Sequence, residues 1–180
     1  VIEAGLGGAL DATNIIQNTV CAVFASISRD HLGVIGNSLE EIAENKAGII
    51  KPGCAVVSAF QRENVEVILK ERAKSLGCPY IRAEQEETEI IREDYRGITF
   101  SYKEFRNVHT PMAGRNQTGN AATALETIRT LRRLGYEIPE EAVKTGMERT
   151  VWPGRFSCIG EDPVFIVDGA HNEDAVLRLR

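Results

Sequence analysis

The sequence predicts an α/β fold in which a mostly parallel sheet is covered by helices. In the first half, short apolar runs alternate with segments whose apolar residues recur at helical spacing, and this alternation is typical of parallel sheets with helical connections. The chain has 180 residues, of which 43% are hydrophobic and 26% charged. That is enough for one domain with a real core, or for one domain and part of another.

Local signals define the elements of this first half. Ser38 and Glu41 have the spacing of a capping box, which predicts the start of a helix, and Gly77 predicts the end of another. In chain order we expect a strand end at residues 1–3, a glycine-rich loop at 5–14, a strand at 18–27, a helix at 38–50, a strand at 54–59, a helix at 63–76 and a strand at 80–83.

The sequence changes character after residue 83. Residues 84–105 are rich in Glu and Arg, which predicts an exposed antiparallel edge or hairpin, and we assign them no chemistry. A linker at 152–155 predicts a boundary between one domain at 1–152 and a second at 153–180. The expected elements are strands at 97–102 and 107–111, a loop at 114–120, helices at 121–134 and 140–147, and strands at 156–159 and 164–167.

Lys46 stands out in the predicted helix at 38–50. It falls on the same face as Leu39, Ile42 and Ile50, which is the face that should pack inward. A charge on that face needs an explanation. Either the methylenes pack while the ammonium reaches water, or a partner, a phosphate or a metal site holds the lysine, or its amine is modified into a group that binds a cation.

Other polar residues lie at the expected junctions between strands and helices. Asp30 and His31 follow an apolar run, and open α/β sheets place their ligands at such positions. Mg²⁺ favours carboxylates and water, whereas nucleotide phosphates favour Arg, Lys and backbone amides. The whole set comprises Glu3, residues 11–14, Asp30, His31, Lys46, residues 117–120, Arg155 and residues 168–172.

Charge and composition exclude several classes of protein. The net charge of -5 argues against a nucleic-acid surface, which needs a basic face. No apolar run approaches the roughly 20 residues of a membrane span, and the first residues do not resemble a signal peptide. The four cysteines are scattered without the spacing of a metal site, and this fits a reducing cytoplasm.

Five motifs follow one another from one end of the chain to the other: EAGLGGALDATN, SRDHLGVIGNSLEEIAENKAGIIKPG, GRNQTGNAATAL, WPGRF and DGAHN. Together they resemble the folylpolyglutamate synthase and dihydrofolate synthase family of the Mur ligase superfamily. The resemblance implies a P-loop-type central ATPase domain and the start of a Rossmann-like C-terminal domain. It also implies an ATP-dependent ligase, in which ATP phosphorylates the carboxylate of a folate or dihydropteroate and L-glutamate then displaces the phosphate.

The resemblance also implies roles for single residues. Glu3 and His31 match magnesium ligands, and Lys46 matches a lysine that is carbamylated in the family, so that its end becomes an anion. These three residues would form the catalytic centre. Asn120 matches a contact to the adenine of ATP, Arg155 a contact to its phosphates, and Asp168 and His171 contacts to the ribose, the phosphates or the glutamate.

The sequence departs from the family pattern in three places. Ala9 stands where the family usually has Arg, and Asn116 stands where His often precedes Gln117. No GKS or GKT loop is present to hold the β- and γ-phosphates. We therefore expect these 180 residues to be an internal fragment, lacking the P-loop and most of the C-terminal domain, and inactive by itself.

Other functions stay open at this point. The chain can belong to another Mur-type ligase that builds peptidoglycan precursors, or to a nucleotide-binding module that has lost catalysis. A magnesium-dependent hydrolase that uses Glu3, Asp30 and His31 is a third alternative. The resemblance favours a cytoplasmic, monomeric ligase of folates, and the sequence leaves the preference between dihydropteroate and folylpolyglutamate open.

Overall fold

A computed structural model describes residues 1–29, 33–170 and 176 of the chain. The chain divides into two compact units, Val1–Ala83 and Glu84–Arg180, which we call the first and the second unit. Each unit has its own hydrophobic core. Of the described helices, none combines the length and the apolar character that crossing a lipid bilayer requires.

The first unit is built on a parallel sheet of three short strands. They are β1 (Cys21–Phe24), β2 (Ala55–Ser58) and β3 (Tyr80–Arg82), with β2 in the middle. Two helices, α1 (Leu39–Ala47) and α2 (Glu63–Ser75), form the connections, and a short 3-10 helix spans Ala12–Ile15. The predicted parallel sheet with flanking helices is therefore confirmed.

Helix α1 begins as its sequence predicts. The Ser38 hydroxyl accepts a hydrogen bond from the Glu41 N–H at 3.1 Å, whereas the Glu41 carboxylate accepts the N–H of Asn37 at 2.7 Å. In a standard capping box the carboxylate accepts the N–H of the cap residue itself, whereas here it accepts the N–H of the residue before the cap. The predicted stripe is buried along α1 and just beyond it, and comprises Leu39, Ile42, Ala43, Ala47 and Ile50.

The second unit contains antiparallel sheets. Strands β4 (Thr88–Asp94), β5 (Gly97–Tyr102) and β6 (Phe105–Thr110) form a meander, and β7 (Ser157–Glu161) pairs with β8 (Val164–Val167) in a hairpin. Along the chain, α3 (Asn116–Arg133) and α4 (Glu140–Glu148) come between the meander and the hairpin, and a 3-10 turn at Gln85–Glu87 precedes β4. The side chains of Ile98, Phe100, Tyr102 and Leu125 form much of the core.

Several predicted boundaries are wrong. Residues 1–3 form no strand, because no described strand pairs with them. The strand expected at 18–27 is regular only over Cys21–Phe24. Helix α3 begins at Asn116, within the loop expected at 114–120, because burial of Thr118 outweighs the weak helix propensity of the surrounding Gly and Asn residues. The proposed domain boundary at 152 stays a prediction.

Candidate functional site

The glycine-rich loop at 5–14 packs against the C-terminal end of α1. The Ala9 N–H donates to the Asn45 carbonyl at 2.8 Å. A Cβ at Gly8 would lie 2.8 Å from the Lys46 carbonyl oxygen and 2.9 Å from that of Asn45, so only glycine allows this approach. Ala9 likewise lies where a Cβ at Gly48 would be, which explains a small residue on both sides of this contact.

Asp11 holds the shape of this loop. Its carboxylate accepts hydrogen bonds from the Thr13 hydroxyl at 2.5 Å, the Thr13 N–H at 2.9 Å and the Leu6 N–H at 2.9 Å. These bonds, the one from the Thr13 hydroxyl foremost, lower the pKa of Asp11 to about 2. Asn14 completes the loop, because its side-chain amide donates to the carbonyls of Ala9 and Gly48.

Lys46 lies in the last turn of α1 beside this loop and is half-buried. It therefore lies at the edge of the buried stripe instead of inside it. Its positive charge is favourable there, because the C-terminal end of a helix carries partial negative charge. The Oδ1 of the neighbouring Asn45 is buried and has no hydrogen-bond partner in the described part of the chain. Glu3, which precedes the loop, is exposed.

Two of the donors expected for magnesium, Glu3 and Lys46, lie among the described residues. Within residues 1–29, 33–170 and 176, no three His, Cys, Asp or Glu side chains converge on one metal position. Asp30 and His31 lie outside the described residues. The carboxylate of Glu3 is an oxygen donor of the kind that Mg²⁺ prefers, and a carbamate on Lys46, which the family resemblance implies, would be another, so the chemistry of these two residues would fit the ion.

Asn120 lies on the exposed face of α3 near its start. Its side-chain amide donates to the Gln117 side chain at 2.9 Å. Because α3 begins at Asn116, Asn120 lies in the second turn of the helix and does not cap it. The structure connects neither Asn120 with Arg155 nor Asn120 with Asp168 through a contact among the described residues.

Arg155 and Asp168 belong to one structural arrangement in the second unit. The Asp168 carboxylate accepts the N–H groups of Phe156 and Ala170, each at 2.7 Å. The Gly169 N–H also donates to the Gly154 carbonyl at 2.7 Å. Hydrogen bonds at Gly154 and Phe156 therefore connect the predicted linker to the segment that follows β8, and the exposed Arg155 lies between these two residues. His171 lies outside the described residues.

A cleft of about 500 Å³ lies beside this arrangement. Arg155 and the half-exposed Trp152 line one part of it, and Tyr95, Arg96 and Met112 line another. The Arg96 guanidinium pairs with Glu161 at 2.9 Å and stacks near the ring of Tyr95. Sequence reasoning missed Tyr95 and Arg96, because they lie in the charged segment to which it assigned no chemistry. An aromatic residue next to an arginine was the available signal.

A buried carboxylate is the other feature that sequence reasoning missed. Glu126 of α3 is 1% exposed, and it accepts hydrogen bonds from Tyr102 at 2.9 Å, Lys103 at 3.0 Å and Arg129 at 2.8 Å. Burial opposes its ionisation, but these donors outweigh burial and lower the pKa of Glu126. Burial and the neighbouring Glu126 raise the pKa of Tyr102 to about 12. The network anchors α3 to the turn between β5 and β6.

Comparison with known proteins identifies the family. The Mur ligase middle domain matches residues 1–128. The dihydrofolate synthase/folylpolyglutamate synthase of Bacillus subtilis is 33% identical over 99% of this chain and 43% of its own length. The folylpolyglutamate synthase of Lacticaseibacillus casei is 28% identical over 98% of this chain and 42% of its own length. The chain thus spans less than half the length of these relatives.

Solved structures agree with this assignment. Folylpolyglutamate synthase (FPGS) of Mycobacterium tuberculosis complexed with ADP matches 99% of this chain and 41% of its own chain, with a TM-score of 0.85 and 28% identity. An FPGS–AMPPCP–folate complex matches 99% of this chain and 45% of its own, with a TM-score of 0.87 and 27% identity. The chain therefore belongs to the Mur ligase superfamily, in the family of folylpolyglutamate and dihydrofolate synthases.

Proposed function

We propose that the protein is an ATP-dependent ligase that adds L-glutamate to the carboxylate of a folate or dihydropteroate. The observation that carries this proposal is the match of 99% of the chain to a dihydrofolate synthase/folylpolyglutamate synthase. The nucleotides and the folate in the related solved structures support ATP and a pterin as its small-molecule substrates. We further propose that it acts in the cytoplasm as a monomer.

The second unit supplies the proposed nucleotide contacts. Arg155 lines the cleft with Trp152, and an arginine and an aromatic ring suit phosphates and a purine, respectively. Asp168 keeps unused lone pairs on both carboxylate oxygens, which suit the hydroxyls of a ribose. We assign Asn120 to the adenine and His171 to the ribose, the phosphates or the glutamate.

The proposed reaction passes through an acyl phosphate. An oxygen of the pterin carboxylate attacks the γ-phosphorus of ATP, the bond from that phosphorus to the β-γ bridging oxygen breaks, and ADP leaves. The glutamate nitrogen then attacks the acyl carbon and loses a proton, and phosphate leaves with the former carboxylate oxygen. Arg155 would offset the negative charge that develops on the phosphoryl group.

Glu3, His31 and Lys46 are the residues that would hold magnesium in the first unit. Bound there, the ion would neutralise phosphate charge. In this proposal Lys46 acts as a carbamate, so that its end is an oxygen donor. The approach of Gly8 to the Lys46 carbonyl fixes the backbone from which that donor projects.

The role of Lys46 can be tested by chemical rescue. Lys46→Ala should lose activity, and a small added carboxylate should restore part of it, because the carboxylate replaces the lost carbamate. Lys70→Ala is the matched control, since Lys70 is an exposed lysine of α2 that pairs with Glu66 and lies over the ring of Tyr80 in β3. Absence of rescue together with an unmodified Lys46 amine in the electron density of a crystal structure would contradict the carbamate.

Release of ADP by the full-length protein tests the function as a whole. With ATP and magnesium present, glutamate and either dihydropteroate or a reduced folate are added singly and then together. The proposal expects release only when both glutamate and a pterin are present, and the preferred pterin identifies the branch of the family. Release that ignores the pterin would indicate another Mur-type substrate, and no release at all would indicate a nucleotide-binding module without catalysis.

A further inference from the structure

Gln61 is buried where the backbone pairing of the parallel sheet ends. The residue follows β2 and is 3% exposed. Its Oε1 accepts the Ile27 N–H at 2.8 Å, and its Nε2 donates to the Ala25 carbonyl at 2.9 Å. Because Ala25 and Ile27 follow β1, one side chain satisfies a donor and an acceptor on the continuation of that strand.

The amide of Gln61 thus takes the place of a peptide group. At this end of the sheet, a backbone hydrogen bond between β1 and the residue after β2 runs from the Ala59 N–H to the Phe24 carbonyl at 2.8 Å. Beyond it, the side chain of Gln61 supplies both partners that a neighbouring strand would supply. Ser58 fixes the orientation of the amide, because its hydroxyl accepts from Nε2 at 3.1 Å and donates to the Ala59 carbonyl at 2.9 Å.

We infer that Gln61 is a positioning residue that fixes how the chain leaves β1. In the sequence, Asp30 and His31 follow Ile27 by three and four residues, so the backbone that Gln61 holds ends shortly before this pair. The inference rests on the proposed function, in which His31 belongs to the catalytic centre. It assigns to Gln61 no contact with substrate, and its effect on the reaction passes entirely through the backbone of residues 25–27.

The first test uses Gln61→Met in the full-length protein. Methionine fills the same space without the amide. Asn64→Ala is the matched control, because the Asn64 amide donates its hydrogen bond to the exposed Glu40 of α1. We expect hydrogen exchange of the Ile27 amide to become at least tenfold faster in Gln61→Met, since its buried acceptor is lost. The kcat for ADP release should fall by about tenfold or more with little change in the KM for glutamate.

Gln61→Glu gives a signature that a purely structural role would not produce. An ionised carboxylate accepts the Ile27 N–H but cannot donate to the Ala25 carbonyl, whereas a protonated carboxyl group does both. The ratio of kcat between Gln61→Glu and the wild type should therefore rise as the pH falls. If Gln61→Met does not fold, two other variants test the inference. They are Gln61→Glu and Ser58→Ala, the second of which keeps both bonds from Gln61 to the residues that follow β1.

Three results would overturn the inference. They are unchanged Ile27 exchange in Gln61→Met, a kcat for Gln61→Met equal to that of Asn64→Ala, and a pH-independent ratio for Gln61→Glu. A wild-type protein that releases no ADP with pterin and glutamate would contradict the proposed function instead. In that case the exchange of the Ile27 amide still shows whether Gln61 holds the end of β1.

Discussion

The two units hold their buried polar groups in opposite ways. In the first unit a neutral amide, that of Gln61, pairs with backbone groups at the end of a parallel strand. In the second unit an ionised carboxylate, that of Glu126, pairs with two cations and a phenol. A neutral amide keeps its hydrogen bonds at any pH, whereas a buried charge depends on its protonation and on every partner. Acid should therefore weaken the second unit selectively.

The largest expected effect is the loss of the buried carboxylate. Glu126→Leu leaves Lys103, Arg129 and the Tyr102 hydroxyl without their shared acceptor, and should lower the free energy of unfolding by about 3 kcal/mol. Glu104→Gln is the control, because Glu104 pairs with the same Arg129 but is half-exposed, and it should cost less than about 1 kcal/mol. Urea unfolding followed by circular dichroism measures both; equal losses would show that burial of the charge is unimportant.

A steric change in the first unit should cost somewhat less. Gly8→Ala forces a Cβ to within 2.8 Å and 2.9 Å of two carbonyl oxygens, which should destabilise the packing of the loop on α1 by about 2 kcal/mol. Because the contact carries no charge, the loss should be the same at pH 4 and pH 7. Urea unfolding at both pH values checks this. A loss that depends on pH would remove the contrast between the two units.

The pH dependence of stability gives a smaller effect with a defined sign. The pKa of Glu126 is lower in the folded than in the unfolded protein. Its carboxylate therefore contributes stability above the unfolded pKa of about 4.3, and this contribution is lost as the pH falls through the folded pKa. Glu126→Gln should be less stable than the wild type at pH 7, and the difference should shrink below pH ~4. A constant difference in unfolding free energy would contradict the lowered pKa.

The smallest effect is a gain in stability. Gly146 lies inside α4, where a Cβ would meet no atom within 4 Å. Gly146→Ala should therefore stabilise the helix by roughly 0.5 to 1 kcal/mol, since glycine is the more flexible residue in the unfolded chain. A raised midpoint in thermal unfolding would confirm this. A lowered midpoint would show that α4 contacts something at Gly146 that the described residues do not include.

The elements of the first unit could be predicted because their signals are local. Ser38 caps α1 as its spacing indicates, and Gly77 ends α2 with a positive φ of 66°. The start of α3 could not be predicted, because burial of Thr118 is a tertiary effect that the Gly and Asn residues around it conceal. The exposed antiparallel edge predicted for residues 84–105 is confirmed, but its first strand, β4, had no predicted bounds, because its charged and exposed residues resemble those of a loop.

Sequence patterns nominate residues for the candidate site, but they do not indicate the contacts that hold those residues. The helical pattern of α1 pointed to Lys46, and the structure places Lys46 against the glycine-rich loop. The bonds of Asp168 to Phe156 and of Gln61 to Ile27 join residues that are 12 and 34 positions apart. Such bonds follow from the packing of the units and have no counterpart in the spacing of the sequence.

Transfer of heavy oxygen tests the central claim most directly. The full-length protein is given ATP, glutamate and a pterin substrate whose carboxylate carries ¹⁸O, and the released phosphate is analysed by mass spectrometry. A ligase that forms an acyl phosphate must leave one labelled oxygen in each phosphate, because the carboxylate oxygen that attacked phosphorus departs with it. Phosphate without label would contradict the proposed chemistry, whatever the rate at which ADP appears.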